Sequence, residues 1–285
     1  MLRRRYADQP LSRLAIWARR IALFSLVAAL LSIVIVRSGI LEIEPALATF
    51  GGALLLAVIA IGLALASFVV IWKEGLGGLS YGLTAIAIGL ALNAYPLYLG
   101  YKLRQLPPIS DITTDPIDPP RFEAVARLRP RGANPVAYAG LYAAEQQRAA
   151  YPDIEPLMVT LPPVAAYEAA RTIIEKRKWR IVDTREPQLN RREGRIEAVA
   201  RTPIMGFRDD IVVRVRATSA GARIDIRSAS RYGRYDFGAN ASRIRSLIED
   251  IENLAETPVK EKKPPPAPKP PPAKPGQAGQ PTAKR

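Results

Sequence analysis

Residues 207–245 read FRDDIVVRVRATSAGARIDIRSASRYGRYDFGANASRIR, and this stretch decides the fold of the second half of the chain. Apolar and charged residues alternate before and after residues 218–221, which predicts two strands of an antiparallel hairpin joined by a tight turn. A loop rich in Arg, Ser, Gly and Asp follows the second strand, and an amphipathic helix begins near residue 241. The hairpin therefore has one apolar face to bury and one charged face.

The register of the hairpin follows from its turn. Pairing Ala217 with Ala222 sets Val215 opposite Ile224 on the apolar face, because side chains alternate between the two faces of a strand. On the other face, the same register brings basic and acidic side chains opposite or diagonal to one another. We interpret these as structural ion pairs on an outward, solvent-facing surface, formed by Asp210, Arg214, Asp225 and Arg227.

Helical periodicity flanks the hairpin on both sides. Apolar residues recur at helical spacing after Pro163 and again over residues 244–254, while residues 179–183 and 195–201 resemble short strands. The order helix, strands, helix predicts an α+β domain over residues 162–257, in which two helices flank an antiparallel sheet of about four strands. Residues 102–161 are expected to form an extended linker that contains one candidate helix.

Three apolar runs occupy the first third of the chain. They cover about residues 21–41, 46–72 and 79–101, and each approaches or exceeds the ~20 residues that an α-helix needs to cross a bilayer. The first run is uncharged over residues 21–36 and extends to residue 41 if the Arg37 side chain reaches the membrane surface. Trp and Tyr near the ends of the second and third runs are typical of the membrane interface. The sequence therefore predicts a three-helix membrane anchor. The first run could instead be the apolar core of a signal peptide, because basic residues precede it.

The distribution of Arg predicts how the chain is oriented. Residues 1–20 are Arg-rich and are expected to stay in the cytoplasm. Three crossings then place everything after residue 101 in the periplasm, as in a multi-pass protein of the bacterial inner membrane. Lys102 and Arg104 lie on the unfavoured side of this arrangement. The Pro/Lys-rich tail, residues 258–285, cannot bury a core and is predicted to be disordered.

The composition excludes several classes of function. The formal net charge is +15, but most of the excess lies in the two ends of the chain, so nucleic acid is not an expected partner. The chain contains neither Cys nor His, which excludes the usual zinc sites, thiol nucleophiles and Ser-His-Asp triads. We therefore assign no metal ligand, no cofactor and no catalytic residue, and the oligomeric state stays open.

The loop after the hairpin carries more charge than packing requires. Arg side chains converge there on a strand end and a helix N-terminus, and a guanidinium matches the planar carboxylate or phosphate group of a ligand. We expect an anion pocket that takes a lipid head group or a cell-wall polymer. Its candidate residues are Arg227, Ser228, Ser230, Arg231, Arg234, Asp236, Asn240 and Arg243. The alternative is a structural Arg–Asp network.

Two further classes of function stand beside a binding or scaffolding role. An enzyme acting on an envelope polymer or lipid could use Asp209 and Asp236 as an acid–base pair across the loop. The absence of His and Cys favours binding over catalysis. A transporter accessory or channel is disfavoured, because the apolar runs contain few polar side chains besides that of Asn93.

Several ordered motifs carry a resemblance to a known family. They are G-F-x-D-D-x-x-V-R-V at 206–215, D-I-R-S-x-S-R-x-G at 225–233 and D-F-G-x-N-A-x-R-I-R at 236–245, preceded by D-I-T-T-D at 111–115 and Y-P-D-I-x-P-L at 151–157. Together they resemble the bacterial domain-of-unknown-function family 1499 over about residues 108–254. Members similar to this chain often carry N-terminal membrane helices. The resemblance implies no established activity.

Overall fold

The structure is a computed structural model, and it describes residues 9–39, 43–188 and 193–256. The helices are α1 (Arg13–Ser38), α2 (Ile43–Glu74), α3 (Leu79–Leu103), α4 (Leu141–Ala150), α5 (Pro163–Lys176) and α6 (Ala239–Glu256). The strands are β1 (Asp111–Thr113), β2 (Leu157–Val159), β3 (Arg180–Arg185), β4 (Glu193–Arg201), β5 (Arg208–Thr218) and β6 (Gly221–Ser230). The predicted tail, residues 258–285, lies outside the described residues.

The first three helices are each long and apolar enough to cross a membrane, which confirms the three predicted apolar helices. They approach closely because the side chains between them are small. A Cβ atom at Gly89, for instance, would lie 2.6 Å from Cγ1 of Ile61. One buried apolar cluster between the helices consists of Ala18, Ala22, Ala60, Ala64 and Ala85.

Helix α1 begins earlier than the apolar run that predicted it. It starts at Arg13, so Arg19 and Arg20 lie inside the helix. The guanidinium of Arg19 stacks 4.6 Å from the centre of the Tyr81 ring, and that of Arg20 stacks 5.5 Å from the ring of Trp17. Aromatic faces stabilise a cation in this way, so the charges do not end the helix.

The six strands form one antiparallel sheet in the order β1-β6-β5-β4-β3, and β2 also pairs with β6. The predicted hairpin is confirmed with its register, because Ala217 pairs with Ala222 and Val215 with Ile224. On one face, alternate residues of β4, β5 and β6 pack against α5 and α6 in a buried apolar core. The α+β prediction is thus confirmed, with six strands instead of about four.

The segment before residue 162 belongs to the domain and is not a linker. Strands β1 and β2 both pair with β6, at residues 227–229 and 222–224. Buried Gln147 of α4 joins the domain as well, because its side chain exchanges two hydrogen bonds with the backbone of Thr113. The expectation of an extended linker over 102–161 was therefore wrong. Strands of three residues are too short to give a periodic signal.

The charged face of the hairpin is buried, which corrects the expectation that it faces solvent. Residues 114–139, here called the cover segment, lie across it and bury Phe122 and Val125 against Val199 and Val212. Glu197, which is fully buried, holds the cover segment down by accepting hydrogen bonds from the backbone N–H groups of Glu123 and Val125. Both faces of the sheet are thus covered, one by helices and the other by an irregular segment.

The domain sits against the ends of the membrane helices. Arg37, near the end of α1, donates hydrogen bonds to the carbonyls of Pro203 at 2.6 Å and Ile204 at 3.0 Å. Lys102, near the end of α3, donates to the carbonyl of Phe237 at 3.2 Å. Two domain loops, 202–207 and 231–238, are therefore bound to the ends of α1 and α3.

Candidate functional site

A layer of ion pairs fills the space between the charged face of the sheet and the cover segment. The carboxylates in it are as numerous as the guanidiniums, so the layer adds no net charge to the domain. Its carboxylates belong to Asp111, Asp115, Asp118, Glu123, Glu197, Asp210 and Asp225. Its guanidiniums belong to Arg129, Arg195, Arg214, Arg216, Arg223, Arg227 and Arg231.

Asp210 links the sheet to the cover segment at one end of this layer. Its Oδ1 accepts hydrogen bonds from Nε and Nη2 of Arg231, at 2.9 and 2.7 Å. Its Oδ2 accepts a hydrogen bond from Nε of Arg129 at 2.7 Å. Asp210 is fully buried and Arg231 is 2% exposed, so this carboxylate is shared by two guanidiniums away from water.

Arg227 pairs with β1 rather than with its diagonal neighbour Asp210. Its Nε and Nη2 donate to the two oxygens of Asp111, at 2.9 and 2.6 Å, in the bidentate geometry that suits a guanidinium. The guanidinium also stacks 4.5 Å from the centre of the Phe122 ring. At the middle of the layer, Nε of Arg214 donates a hydrogen bond to Asp225 at 3.1 Å. The two residues lie opposite each other, as the predicted register of the hairpin requires.

Four of the predicted pocket residues meet on the opposite, helix-covered face of the sheet. Nη1 of Arg243 donates to Oδ1 of Asn240 at 2.6 Å and to Oγ of Ser228 at 2.9 Å. The Asn240 amide donates in turn to Oγ of Ser230 at 2.9 Å. Nη2 of Arg243 donates to the carboxylate of Asp209 at 2.6 Å. Arg227 and Arg231 lie on the other face, under the cover segment, so the sheet separates these six predicted residues into two groups.

Asp236 caps the N-terminal end of α6. Its two oxygens accept hydrogen bonds from the backbone N–H groups of Gly238 at 3.0 Å and Asn240 at 2.8 Å, which the helix itself cannot satisfy. Burial raises the pKa of Asp236, and burial also raises the pKa of Asp209 against the lowering effect of Arg243. The two carboxylates are only 6% and 1% exposed. They hold the loop and the helix together and present little surface to a substrate.

Arg234 is the one predicted guanidinium of this loop that is exposed to solvent. Within residues 9–39, 43–188 and 193–256, no hydrogen bond or ion pair engages it. Arg227, Arg231 and Arg243, in contrast, each have a carboxylate partner. An incoming anion would have to displace those carboxylates to bind these three guanidiniums. Only exposed cations such as Arg234 can bind an anion without breaking an existing ion pair.

A cleft lies where the domain meets the membrane helices, and we call it the junction cleft. Its volume is about 440 Å³. Arg131 and Arg208 line it, both exposed, and neither guanidinium has a hydrogen bond or ion pair within the described part of the chain. The remaining lining residues are Val36, Gly39, Ile43, Glu44, Pro130, Gly132, Gly206, Phe207, Arg231 and Tyr232.

Sequence reasoning did not single out Arg131 and Arg208 as site residues. Arg208 is adjacent to the predicted ion-pair residues of β5, and Arg131 lies in a segment without periodicity. Both residues lack an acidic partner among the described residues. Ion pairs in this domain join segments that are distant in the sequence, so local sequence patterns do not show which Arg residues stay unpaired. Arg231 and Tyr232 of the predicted loop line the same cleft, so the loop does reach this place.

A second cleft, of about 620 Å³, lies at the other end of the charged layer. Two of its cations, Arg216 and Arg223, are bound to Asp115, at 3.3 and 2.6 Å, while Arg148 has no hydrogen bond or ion pair among the described residues. Asp115, Asp118 and Glu155 also line this cleft, so its carboxylates equal its guanidiniums in number. Of the described residues, the junction cleft holds two unpaired guanidiniums and a single carboxylate, that of Glu44. No group of three or more metal-ligating carboxylates occurs among the residues described.

Comparison with known proteins gives one family match and no activity. Residues 111–251 match the family model described as Protein of unknown function (DUF1499). No curated protein and no solved structure matches the chain. The match spans the domain from β1 into α6 and leaves the membrane helices outside it.

The raised pKa of Asp236 gives a test of its role as a buried helix cap. A folded-state pKa above the ordinary 3.8 means that Asp236 favours folding most at low pH, and that this contribution falls as the pH rises through the raised pKa. Asn can cap a helix as Asp does but does not ionise. We therefore expect Asp236→Asn to gain stability relative to the unmodified chain as the pH rises from about 3 to 7.

The measurement is chemical unfolding of the detergent-solubilised chain, followed by Trp179 fluorescence with Trp17 and Trp72 replaced by Phe. Asp153→Asn is the matched control with the opposite sign, because Arg245 lowers the pKa of the exposed Asp153 carboxylate. That variant should be slightly less stable than the unmodified chain at neutral pH and equal to it below its lowered pKa. A stability difference for Asp236→Asn that does not change with pH would contradict the buried, proton-binding state of this carboxylate.

Proposed function

We propose that this chain, a member of the family of unknown function DUF1499 through residues 111–251, binds an anionic component of the bacterial envelope at the outer side of the inner membrane. The observation that carries the proposal is the pair of exposed guanidiniums, Arg131 and Arg208, that line a cleft without carboxylate partners. Unpaired guanidiniums converging on one concave place suit a phosphate or carboxylate ligand.

The Arg/Asp-rich loop has two roles in this proposal. Its buried guanidiniums, such as Arg231 on Asp210, fix the loop in place. The exposed Arg234, together with Arg131 and Arg208, supplies positive potential toward the ligand. Arg231 and Tyr232 form the wall that joins the loop to the cleft. We therefore propose that the anion site predicted for this loop lies on the side of the loop that faces the membrane helices.

The proposed orientation rests on the Arg-rich N-terminus and on three membrane-length helices. An odd number of crossings puts the domain opposite the N-terminus, and the positive N-terminus is expected in the cytoplasm. Lys102 lies on the unfavoured side of this topology but has a structural use, because its ammonium binds the Phe237 carbonyl and lies 5.3 Å from the centre of the Tyr98 ring. The domain is thus proposed to be periplasmic.

The alternative of an envelope-modifying enzyme gains no specific support from the contacts. Asp209 is bound to Arg243, and Asp236 is bound to the start of α6. Each carboxylate already has a hydrogen-bonded role in holding the fold. Binding therefore stays the favoured function.

Anion binding at the junction cleft predicts a ligand-dependent gain in stability that needs both guanidiniums. Inorganic phosphate, glycerol phosphate and soluble peptidoglycan fragments are added to the detergent-solubilised chain, and the unfolding temperature of the domain is measured. A ligand at ~100 times its Kd stabilises the folded state by about 2.7 kcal/mol, so a binding anion should raise this temperature clearly. The double variant Arg131→Gln/Arg208→Gln should lose that gain.

The matched control is Arg148→Gln/Arg180→Gln, which removes the same charge from exposed Arg residues outside the junction cleft. It should respond to the anion as the unmodified chain does. The proposal fails if no anion stabilises the chain, or if the gain survives in the Arg131→Gln/Arg208→Gln variant.

The orientation can be tested with single cysteines, because the natural chain contains none. We expect Ser242→Cys, exposed on α6, to react with a membrane-impermeant maleimide added to intact spheroplasts. Gln9→Cys, on the N-terminal side of α1, should react only after lysis. The reverse pattern would place the domain in the cytoplasm and contradict the proposed localisation.

A further inference from the structure

The junction cleft combines its positive charge with apolar surface. Val36 and Ile43 come from the ends of α1 and α2, and Phe207 and Tyr232 come from the domain loops. A free anion needs only the guanidiniums of Arg131 and Arg208. An amphiphile uses both kinds of wall, because its anionic head can bind the guanidiniums while its apolar part packs on the aliphatic and aromatic side chains.

The cleft also lies at the depth where lipid head groups are found. Gly39, which follows α1, and Ile43, which begins α2, line the cleft, and both helices are long enough to cross a membrane. The contact of Arg37 with the carbonyls of Pro203 and Ile204 keeps the domain loop at that depth. Helix ends of a membrane-spanning segment mark the boundary between the hydrocarbon core and the head groups. A lipid of that leaflet can therefore enter the cleft without leaving the membrane.

The charges of the described residues that line the cleft fit an anionic ligand. Arg131, Arg208 and Arg231 contribute three positive charges, and Glu44 contributes one negative charge. Asp210, behind the lining, is shared by Arg231 and Arg129, so it compensates only one of these two guanidiniums. A phosphodiester matches this combination of cations and apolar walls, because it joins an anionic group to the glycerol and acyl chains of a lipid.

The size of the cleft fits one head group rather than a polymer chain. About 440 Å³ is within the ~300–1,000 Å³ of small-molecule sites. Glycines 39, 132 and 206 line it and leave room beside the guanidiniums. At Gly206, an added Cβ would lie 2.8 Å from Cγ of Arg37, so a larger residue there would press on the contact between domain and helix.

We propose that the junction cleft holds the phosphodiester head group of an anionic phospholipid from the leaflet in which α1 ends. Arg131 and Arg208 bind the phosphodiester, Glu44 accepts a hydrogen bond from a head-group hydroxyl, and Val36, Ile43 and Phe207 contact the glycerol and the start of the acyl chains. This inference rests on the proposed anion-binding function and assigns its ligand class. The domain would thus use a lipid of its own membrane as the ligand.

The test is native mass spectrometry of the full chain released from detergent micelles that contain equal amounts of phosphatidylglycerol and phosphatidylcholine. We expect the chain to retain one phosphatidylglycerol in preference to phosphatidylcholine. Arg131→Gln/Arg208→Gln should lower this retention about tenfold or more, since each tenfold step corresponds to only ~1.4 kcal/mol and two charged contacts are removed. Arg148→Gln/Arg180→Gln should retain the lipid as the unmodified chain does.

The lipid inference and the anion-binding function fail in different ways. Inorganic or glycerol phosphate could stabilise the chain through Arg131 and Arg208 while phosphatidylglycerol is not preferentially retained. That result overturns the lipid inference and leaves anion binding in place. Neither stabilisation nor retention overturns both. If the double variant does not fold, Arg131→Gln and Arg208→Gln are measured singly. Unchanged retention in both single variants would overturn the assignment of the lipid to this cleft.

Discussion

The fold depends on one constraint, which is that charge buried on a sheet must find a counter-charge. Asp210 lies near the start of β5, fully buried, with Arg231 on one oxygen and Arg129 on the other. A carboxylate transferred from water into such a place costs several kcal/mol unless it is paired and hydrogen-bonded. Arg231 comes from the sequence neighbourhood of the hairpin, but Arg129 comes from the cover segment. The sheet therefore cannot bury its charged face without residues 114–139.

The same constraint divides the Arg residues into those that stabilise the domain and those that can meet a ligand. Arg227, Arg231 and Arg243 are engaged by Asp111, Asp210 and Asp209, and their guanidiniums are largely withdrawn from solvent. A function based on cations must then use residues outside the ionic layer. Arg131 and Arg208 meet this condition, and they lie at the contact between the domain and the membrane helices. The ionic layer thus determines the domain's shape, and the unpaired residues around it determine what the domain can bind.

The hairpin, its register and the closing helix could be predicted because their signals are local. Side chains alternate along β5 and β6, the turn sets the register, and Ile244 to Leu254 recur at helical spacing. The charged face could not be assigned to the interior from the same pattern, because alternation says which residues share a face but not what covers it. Glu197 meets the backbone of Glu123 across 74 residues, and Arg227 meets Asp111 across 116. Contacts between an irregular segment and a strand leave no periodic pattern of residues in the sequence, so periodicity cannot predict them. The motif at 111–115 did indicate that the domain begins before residue 162, and β1 lies there.

The stability of Asp210→Asn tests most directly whether buried guanidiniums and their carboxylates hold the fold together. The unfolding free energy of the full chain in detergent should fall by about 3–5 kcal/mol, because Arg129 and Arg231 would then stay buried without a counter-charge. Asp250→Asn, which breaks the partly exposed pair with Arg177, should lose no more than ~1 kcal/mol. Equal, small losses for the two variants would contradict the account, because they would mean that Asp210 and its guanidiniums are not buried partners.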